Sequence, residues 1–171
     1  GQWDDAERMK RAVRGLCERA SLVKASDEDL AALGLEGTAG ALRGLLREGA
    51  VGLLTLAERG ASAVWNAGAG EGAGEVWCDA PAVTLVDPIG AGDAFVAAVL
   101  AGLDARAVRP GDGAFREENT WRMVLPLACE AGACAVTAMG ATEAIAARAP
   151  ELRARLRALR AAEAVVEEVA S

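Results

Sequence analysis

The segment that most constrains the fold of this chain is residues 83–103, where two apolar runs are joined by a glycine turn. Residues 83–86 read Val-Thr-Leu-Val, residues 90–93 read Gly-Ala-Gly-Asp, and residues 94–103 carry apolar side chains at helical spacing. A β-branched run followed by a glycine turn and a 3.6-residue period predicts a strand, a tight turn and a helix. The chain is therefore predicted to belong to the α/β class.

The rest of the sequence alternates in the same way. Ser26, with Asp29 three positions later, is predicted to cap a short helix that ends at Gly34. We predict helices over residues 4–19, 38–48, 119–135 and from Pro150 to the end, strands over residues 22–24, 51–56 and 83–86, and a hairpin of residues 63–65 and 75–77. This order predicts one domain, residues 1–171, with a mainly parallel sheet edged by the hairpin.

Composition excludes several classes of protein. Hydrophobic residues make up 53% of the 171 residues, but none of the apolar stretches approaches the ~18 residues of a membrane span. The first twenty residues are charged, without the apolar core of a signal peptide, so we expect a cytoplasmic protein. The net charge of −7 argues against nucleic acid as a partner. Four irregularly spaced cysteines without histidine are interpreted as reduced thiols and not as a zinc site.

Two glycine-rich stretches could be nucleotide loops, and their contexts differ. Gly68, Gly70, Gly72 and Gly74 are followed by a strand-like segment, which favours a flexible hairpin turn. Gly90, Ala91 and Gly92 precede a helix, whose first backbone N–H groups attract anions. Asp93 is then either an ordinary acidic residue of a first helical turn or a base that takes a proton from an attacking hydroxyl. Both interpretations of Asp93 stay open from the residues alone.

The segment DPIGAGDAFVAAVLAG, residues 87–102, resembles the C-terminal signature of the ribokinase-like sugar kinases, also called the phosphofructokinase-B family. Three further segments, LVKASDEDLAALG, LLTLAERGASAVW and ACAVTAMGATEAI, resemble other parts of that family in the same order. The resemblance implies a three-layer α/β/α sandwich that phosphorylates a sugar hydroxyl with ATP. Mg²⁺ and K⁺ are the implied metal ions.

The resemblance also implies roles for individual residues. Asp93 would be the general base, and the N–H groups of Gly90, Ala91, Gly92 and Asp93 would form the anion hole. The residues implied at the nucleotide are Lys24, Ser26, Thr55 and Gly60 near the phosphates and Gly140 and Ala141 near the adenine. Asp87 and the backbone around Ile89 would help to bind the monovalent cation, and Asp29 would be linked to Mg²⁺.

The chain departs from the family pattern at three points. Ser26 and Asp29 stand where the family often has Asn and Glu, so the two residues are equally well explained as a helix cap. Ala57 stands where the family usually has Gly. Family members are roughly twice as long, and the N-terminal half and lid that hold most sugar-binding residues have no counterpart here. We therefore expect the 171 residues alone to be inactive and poorly soluble.

Within the family, the segments around VKASDEDL and Trp3 resemble bacterial fructokinases most, with 2-keto-3-deoxygluconate kinase and ribokinase as alternatives. The partners implied are a sugar, ATP and a second copy of the complete protein. Two other classes stay open. One is a catalytically silent nucleotide-binding or regulatory module, and the other is an interaction protein that uses Leu152, Leu156 and Leu159 of its last helix.

Overall fold

The computed structural model describes residues 5–67 and 72–169, so Trp3 and the glycines of the hairpin turn at 68–71 lie outside the described residues. The helices and strands follow one another along the chain in this order: α1 (Ala6–Cys17), β1 (Leu22–Ser26), α2 (Asp27–Ala32), α3 (Ala39–Arg43), β2 (Val51–Thr55), β3 (Ala61–Trp65), β4 (Gly74–Cys78), α4 (Ala91–Ala105), α5 (Glu118–Ala135) and α6 (Ala141–Val169). Short 3₁₀ turns at Ala57–Arg59 and Gly113–Arg116 complete the described elements.

The four described strands form one sheet in the order β1-β2-β3-β4. β1 and β2 are parallel, whereas β2, β3 and β4 follow one another as antiparallel neighbours. The predicted α/β class and the predicted hairpin, β3–β4, are confirmed, whereas the described part of the sheet is mixed and not mainly parallel, because two of its three strand pairs are antiparallel. The parallel part of the described sheet is the β1–β2 pair, so the carboxyl ends of these two strands share one edge.

Helices cover both faces of the sheet, which gives three layers. Val51 and Leu53 of β2 are fully buried on the face that packs against α4 and α5. Leu54 points to the other face, where it packs with Leu30 and Leu42 of α2 and α3. This alternation along β2 is the two-residue period of a strand buried on both sides.

The last helix docks on its own domain. Leu159 of α6 is buried against Ala105 and Leu127, and Leu152 and Leu156 pack beside it. Burial of one leucine stabilises a fold by about 2 kcal/mol. The apolar side of α6 therefore contributes to the stability of this domain. This packing removes the surface on which the interaction-protein hypothesis rested.

Two predicted elements were wrong. Residues 83–86 form no strand, because Val86 N–H donates to the carbonyl of Val136 at 2.8 Å and no strand lies beside it to pair. Leu85 and Ile89 are consequently exposed, at 64% and 71%. The last helix starts at Ala141 and carries Pro150 in its interior, so proline does not mark its first turn as predicted.

The remaining predicted helices are present with shifted ends. The helix predicted over 38–48 is confined to Ala39–Arg43. The helix predicted from Ala94 begins at Ala91, which places Asp93 in its first turn. Over the part of the chain that the structure describes, none of the helices is both long and apolar enough for a membrane span.

Candidate functional site

The carboxyl ends of β1 and β2 place three of the predicted site residues along one edge. Ser26 ends β1 and Thr55 ends β2, and the two residues are register partners in the parallel pair. Lys24 lies two positions earlier on β1, so its side chain and that of Ser26 leave the same face of the strand. The carboxyl ends of parallel strands are the usual edge for ligands in open α/β sheets.

Ser26 and Asp29 form a reciprocal capping box at the start of α2. Asp29 N–H donates to Ser26 Oγ at 3.0 Å, and Ser26 N–H donates to Asp29 Oδ2 at 2.8 Å. Lys24 Nζ lies 3.6 Å from Asp29 Oδ2. Partial burial alone would raise the pKa of the Asp29 carboxyl, but the hydrogen bonds from Ser26 and the Lys24 charge together lower that pKa. The helix-cap interpretation of this pair is confirmed.

The start of α4 faces Lys24 across the sheet edge. Gly90 takes the left-handed conformation, with φ of 86°, and precedes Ala91, the first residue of the helix. A Cβ placed on Gly92 would lie 3.5 Å from Lys24 Nζ, so the ammonium group is the nearest atom to the bare helix start. Asp93 is exposed in the same turn. Lys24 and the Gly90–Asp93 turn, distant in sequence, are thus brought together at the start of α4, where the Ala91 N–H donates to the carbonyl of Pro88 at 3.4 Å.

Asp87 joins the turn before α4 to the loop before α6. Its Oδ1 accepts from Ile89 N–H at 3.0 Å, and its Oδ2 accepts from Gly140 N–H at 3.1 Å. These two hydrogen bonds lower the pKa of the Asp87 carboxyl. Asp87, Ile89 and Gly140 are therefore in direct contact, a juxtaposition that the sequence analysis did not predict, and Ala141 follows as the first residue of α6.

The turn between β2 and β3 brings Thr55 and Gly60 to the same edge. Gly60 has φ of 122° and ψ of −149°, a region that is essentially restricted to glycine. A Cβ on Gly60 would lie 2.1 Å from the carbonyl oxygen of Cys78. Gly60 is buried, so close backbone packing is sufficient to explain this glycine. Ala57 in the same turn has φ of 49°, where glycine is also preferred.

A cavity of about 910 Å³ lies beside these loops, between β4, α5 and α6. Thr137 and Ala138, just before Gly140, form part of its wall. On another side, Glu130 forms ion pairs with two arginines of α6: its Oε2 lies 2.9 Å from Arg155 Nε, and its Oε1 lies 3.5 Å from Arg148 Nη2. Sequence reasoning missed this charged wall, although the spacing of the α6 arginines was a visible signal of one helix face.

Metal ions fit parts of this arrangement. Among residues 5–67 and 72–169, no three His, Cys, Asp or Glu side chains converge on a point that could hold a metal. Mg²⁺ is commonly held by one or two carboxylates together with substrate phosphates, so Asp29 alone is a sufficient protein ligand. The Asp87 carboxylate accepts from two backbone N–H groups, which occupy two of its roughly four acceptor positions.

Comparison with known proteins gives the chain a family. The sequence profile of the pfkB family carbohydrate kinases matches residues 2–148. No curated protein matches the sequence significantly.

Solved structures of sugar kinases share the fold. Aminoimidazole riboside kinase from Salmonella enterica, complexed with aminoimidazole riboside and an ATP analogue, is 27% identical with a TM-score of 0.68 over 90% of this chain and 48% of that one. Fructokinase from Vibrio cholerae O395, bound to fructose, ADP and calcium, is 25% identical with a TM-score of 0.65 over 91% and 47%. A double mutant of that fructokinase, bound to fructose, ADP and potassium, is 26% identical with a TM-score of 0.64 over 91% and 46%.

The chain spans less than half the length of these three structures, at 48%, 47% and 46% of them. The family profile nevertheless covers most of the 171 residues, and it includes the Gly90–Asp93 turn, Lys24 and Asp87. The α/β/α layers and the arrangement at the sheet edge agree with that match. The chain belongs to the pfkB family of carbohydrate kinases.

Proposed function

We propose that this chain supplies the nucleotide-binding and phosphoryl-transfer part of an ATP-dependent sugar kinase. The observation that carries the proposal is the approach of Lys24 Nζ to Gly92, which lies in the first turn of α4 and one residue before Asp93. A helix start and an ammonium group both favour an anion. An exposed carboxylate beside that anion site is suited to accept a proton.

In this proposal Asp93 is the general base. It removes the proton from the sugar hydroxyl as the hydroxyl oxygen attacks the γ-phosphorus of ATP and the bond to the β-phosphate oxygen breaks. The N–H groups of Gly90, Ala91, Gly92 and Asp93 would donate to the charge that develops on the transferred phosphoryl group, and Ala91 N–H would exchange its 3.4 Å hydrogen bond to the Pro88 carbonyl for a phosphoryl oxygen. Phosphoryl transfer depends mostly on such positioning and charge stabilisation.

The same proposal assigns the nucleotide to the two loops at the sheet edge. Lys24, Ser26, Thr55 and Gly60 would contact the phosphates from the ends of β1 and β2. Gly140 and Ala141 would lie at the adenine, where the 910 Å³ cavity provides space for a nucleoside.

Metal ions have specific places in this proposal. Asp29 would hold Mg²⁺ together with the phosphates, and Asp87 with the backbone at Ile89 would hold K⁺. When bound, these ions neutralise phosphate charge. Asp87 has a further task that needs no ion, because its carboxylate links the anion-binding turn to the loop at Gly140.

We propose fructose as the sugar, with 2-keto-3-deoxygluconate and ribose as alternatives. Aminoimidazole riboside is added because a kinase of that substrate is among the similar structures. Phosphate transfer from ATP to each compound, measured side by side on the complete protein, decides between them. A fructose rate no higher than the others would overturn the fructose assignment. We also expect a homodimer of the complete protein, measurable by light scattering, and no kinase activity from the 171 residues alone.

A catalytically silent nucleotide-binding module is the second candidate. The contacts of Asp29 favour this candidate. Asp29 Oδ2 already accepts from Ser26 N–H and lies 3.6 Å from Lys24 Nζ. A carboxylate held in this way is less available to Mg²⁺ than a free one. A silent module would bind ATP but transfer no phosphate to any sugar.

Replacement of the proposed base separates the two candidates. Asp93→Asn in the complete protein is expected to lower turnover ~10²–10⁴-fold, because the amide cannot take the hydroxyl proton. ATP affinity, measured by calorimetry, should be unchanged. Asp104→Asn, at the other end of α4, is the matched control and should keep wild-type turnover. Equal turnover of wild type and Asp93→Asn would remove the base assignment.

A further inference from the structure

Two of the four cysteines meet where β4 ends against α5. Cys129 Sγ donates to the carbonyl oxygen of Cys78 at 3.9 Å, across 51 residues of sequence. Cys78 Sγ itself donates to the carbonyl oxygen of the next residue, Asp79, at 3.5 Å. All four cysteines are free thiols, and Cys134 instead donates to the carbonyl of Ala144 at 3.2 Å. The tertiary structure therefore selects one pair from a set of spacings that the sequence alone could not pair.

The two thiols differ in their access to solvent. Cys129 is buried, with 6% exposure, among core residues that include Ala61 and Val76. Cys78 is half-buried and forms part of the wall of the 910 Å³ cavity between β4, α5 and α6. A small reagent that enters this cavity reaches Cys78 and Cys134, which both form part of its wall, and of these two thiols Cys78 is the one whose backbone carbonyl accepts from Cys129.

We propose that Cys78 and Cys129 are an oxidation site at which hydrogen peroxide forms an intramolecular disulfide. Peroxide first oxidises the Cys78 thiol to a sulfenic acid and releases one water. The Cys129 thiol then attacks the Cys78 sulfur, the sulfur–oxygen bond breaks, and a second water leaves with the Cys129 proton. One peroxide thus takes two electrons and two protons from the dithiol.

The surroundings of the pair make this reaction slow at neutral pH. Burial raises the pKa of both thiols, and for Cys129 it reaches about 12. Asp79 is the charged group that raises both values further, whereas a hydrogen bond from the backbone of Ala61 lowers that of Cys129. Because the thiolate is the reactive form, the rate of disulfide formation should rise as pH increases.

The disulfide would form directly beneath the turn that contains Gly60. The carbonyl of Cys78, which accepts from Cys129, is also the atom nearest to a Cβ on Gly60. A covalent bond here joins the end of β4 to α5 below that turn. The proposal does not depend on the kinase function, since it requires only the two sulfurs and the cavity.

The test uses the complete protein in its folded state with hydrogen peroxide at pH 7 and pH 9. After quenching with catalase and alkylation in urea, free thiols are counted and peptides are mapped without reduction. The expected product is the Cys78–Cys129 peptide pair, reversible by dithiothreitol and faster to form at pH 9. Cys17→Ser and Cys134→Ser are matched controls that should keep the crosslink.

Two cysteine variants and an oxidation in urea test whether the crosslink requires both thiols and the folded structure. Cys78→Ser and Cys129→Ala should each abolish the crosslink, and circular dichroism checks that each variant is folded. Because Cys129 is buried, wild-type protein oxidised in urea is the second comparison, and the selective pairing should disappear there. Crosslinks to Cys17 or Cys134 in the folded protein, or oxidation of all four thiols without a Cys78–Cys129 bond, would overturn the proposal.

Discussion

Two glycine-containing turns at the same edge of the sheet differ in why they contain glycine. Gly60 is buried, and a Cβ there would lie 2.1 Å from the carbonyl oxygen of Cys78, so packing within the fold requires glycine. Gly92 is half-buried, and a Cβ there would meet only the flexible ammonium group of Lys24, at 3.5 Å. One glycine is needed to build the fold, whereas the other leaves an open helix start. Gly60 therefore helps to position the candidate site, whereas Gly92 forms part of its border.

The largest expected effect on stability is at the turn that contains Gly60, called the packed turn below; the turn that contains Gly92 is called the open turn. Gly60→Ala should lower the free energy of unfolding by at least about 3 kcal/mol, because the methyl group overlaps backbone and φ of 122° is unfavourable for alanine. Urea denaturation measures this change. Gly15→Ala in α1, where a Cβ meets nothing within 4 Å, is the control and should stabilise the protein by about 0.5–1 kcal/mol. Wild-type stability of Gly60→Ala would contradict the packing explanation.

Loss of the capping box at the start of α2 is expected to have an intermediate effect on stability. Ser26→Ala should cost about 1 kcal/mol of unfolding free energy, because the N–H of Asp29 loses its acceptor. Thr38→Ala, which removes a similar cap from α3, is the matched comparison. No loss of stability in Ser26→Ala, with a loss in Thr38→Ala, would count against a structural role for Ser26.

The pH dependence of Asp29 tests the same cap. Its pKa is lowered in the folded state, so its contribution is complete above the unfolded value of about 3.9 and is lost as pH falls through the lower folded value. Wild type should therefore exceed Asp29→Asn in stability at neutral pH and approach it in acid. Urea titrations across this range measure the difference, and a gap that widened in acid would reverse the assigned sign.

Ala57 allows a smaller test inside the packed turn. With φ of 49°, Ala57→Gly should raise the free energy of unfolding by up to about 1 kcal/mol, since glycine enters this region without strain. Ala107, with φ of 53°, should respond in the same direction, whereas Ala97→Gly inside α4 should destabilise. Opposite responses of Ala57 and Ala107 would show that strain is not the cause.

The smallest effect on stability is expected at the open turn. Gly92→Ala should change the unfolding free energy by only about 0.5 kcal/mol and in the stabilising direction, because alanine favours the helix and Lys24 can move. In the complete protein the added methyl group should still weaken ATP use, measured as kcat/KM. A strong loss of stability would mean that this turn is packed like Gly60, and the comparison between the turns would fail.

The sequence predicted those parts of the site that depend on neighbours within a few residues. The capping box joins Ser26 and Asp29 across three positions, and the glycine turn lies directly before α4, so both were visible in the residue order. The contact of Asp87 with Gly140 spans 53 residues and was not predicted, although the family resemblance singled out both residues. The approach of Lys24 to Gly92 was not predicted, because no local pattern reports which loops share a sheet edge.

Local chemistry determined the class of the fold, the helix cap at Ser26 and the hairpin from sequence alone, since each depends on propensity and short-range hydrogen bonds. The tertiary structure decided whether a strand-like run has a partner. Residues 83–86 have β-forming side chains, yet they form no strand and stay exposed, and Val86 N–H donates to the carbonyl of Val136 at the end of α5. It also decided that Cys78 lies against Cys129, because distant segments meet only when the sheet and its helices pack.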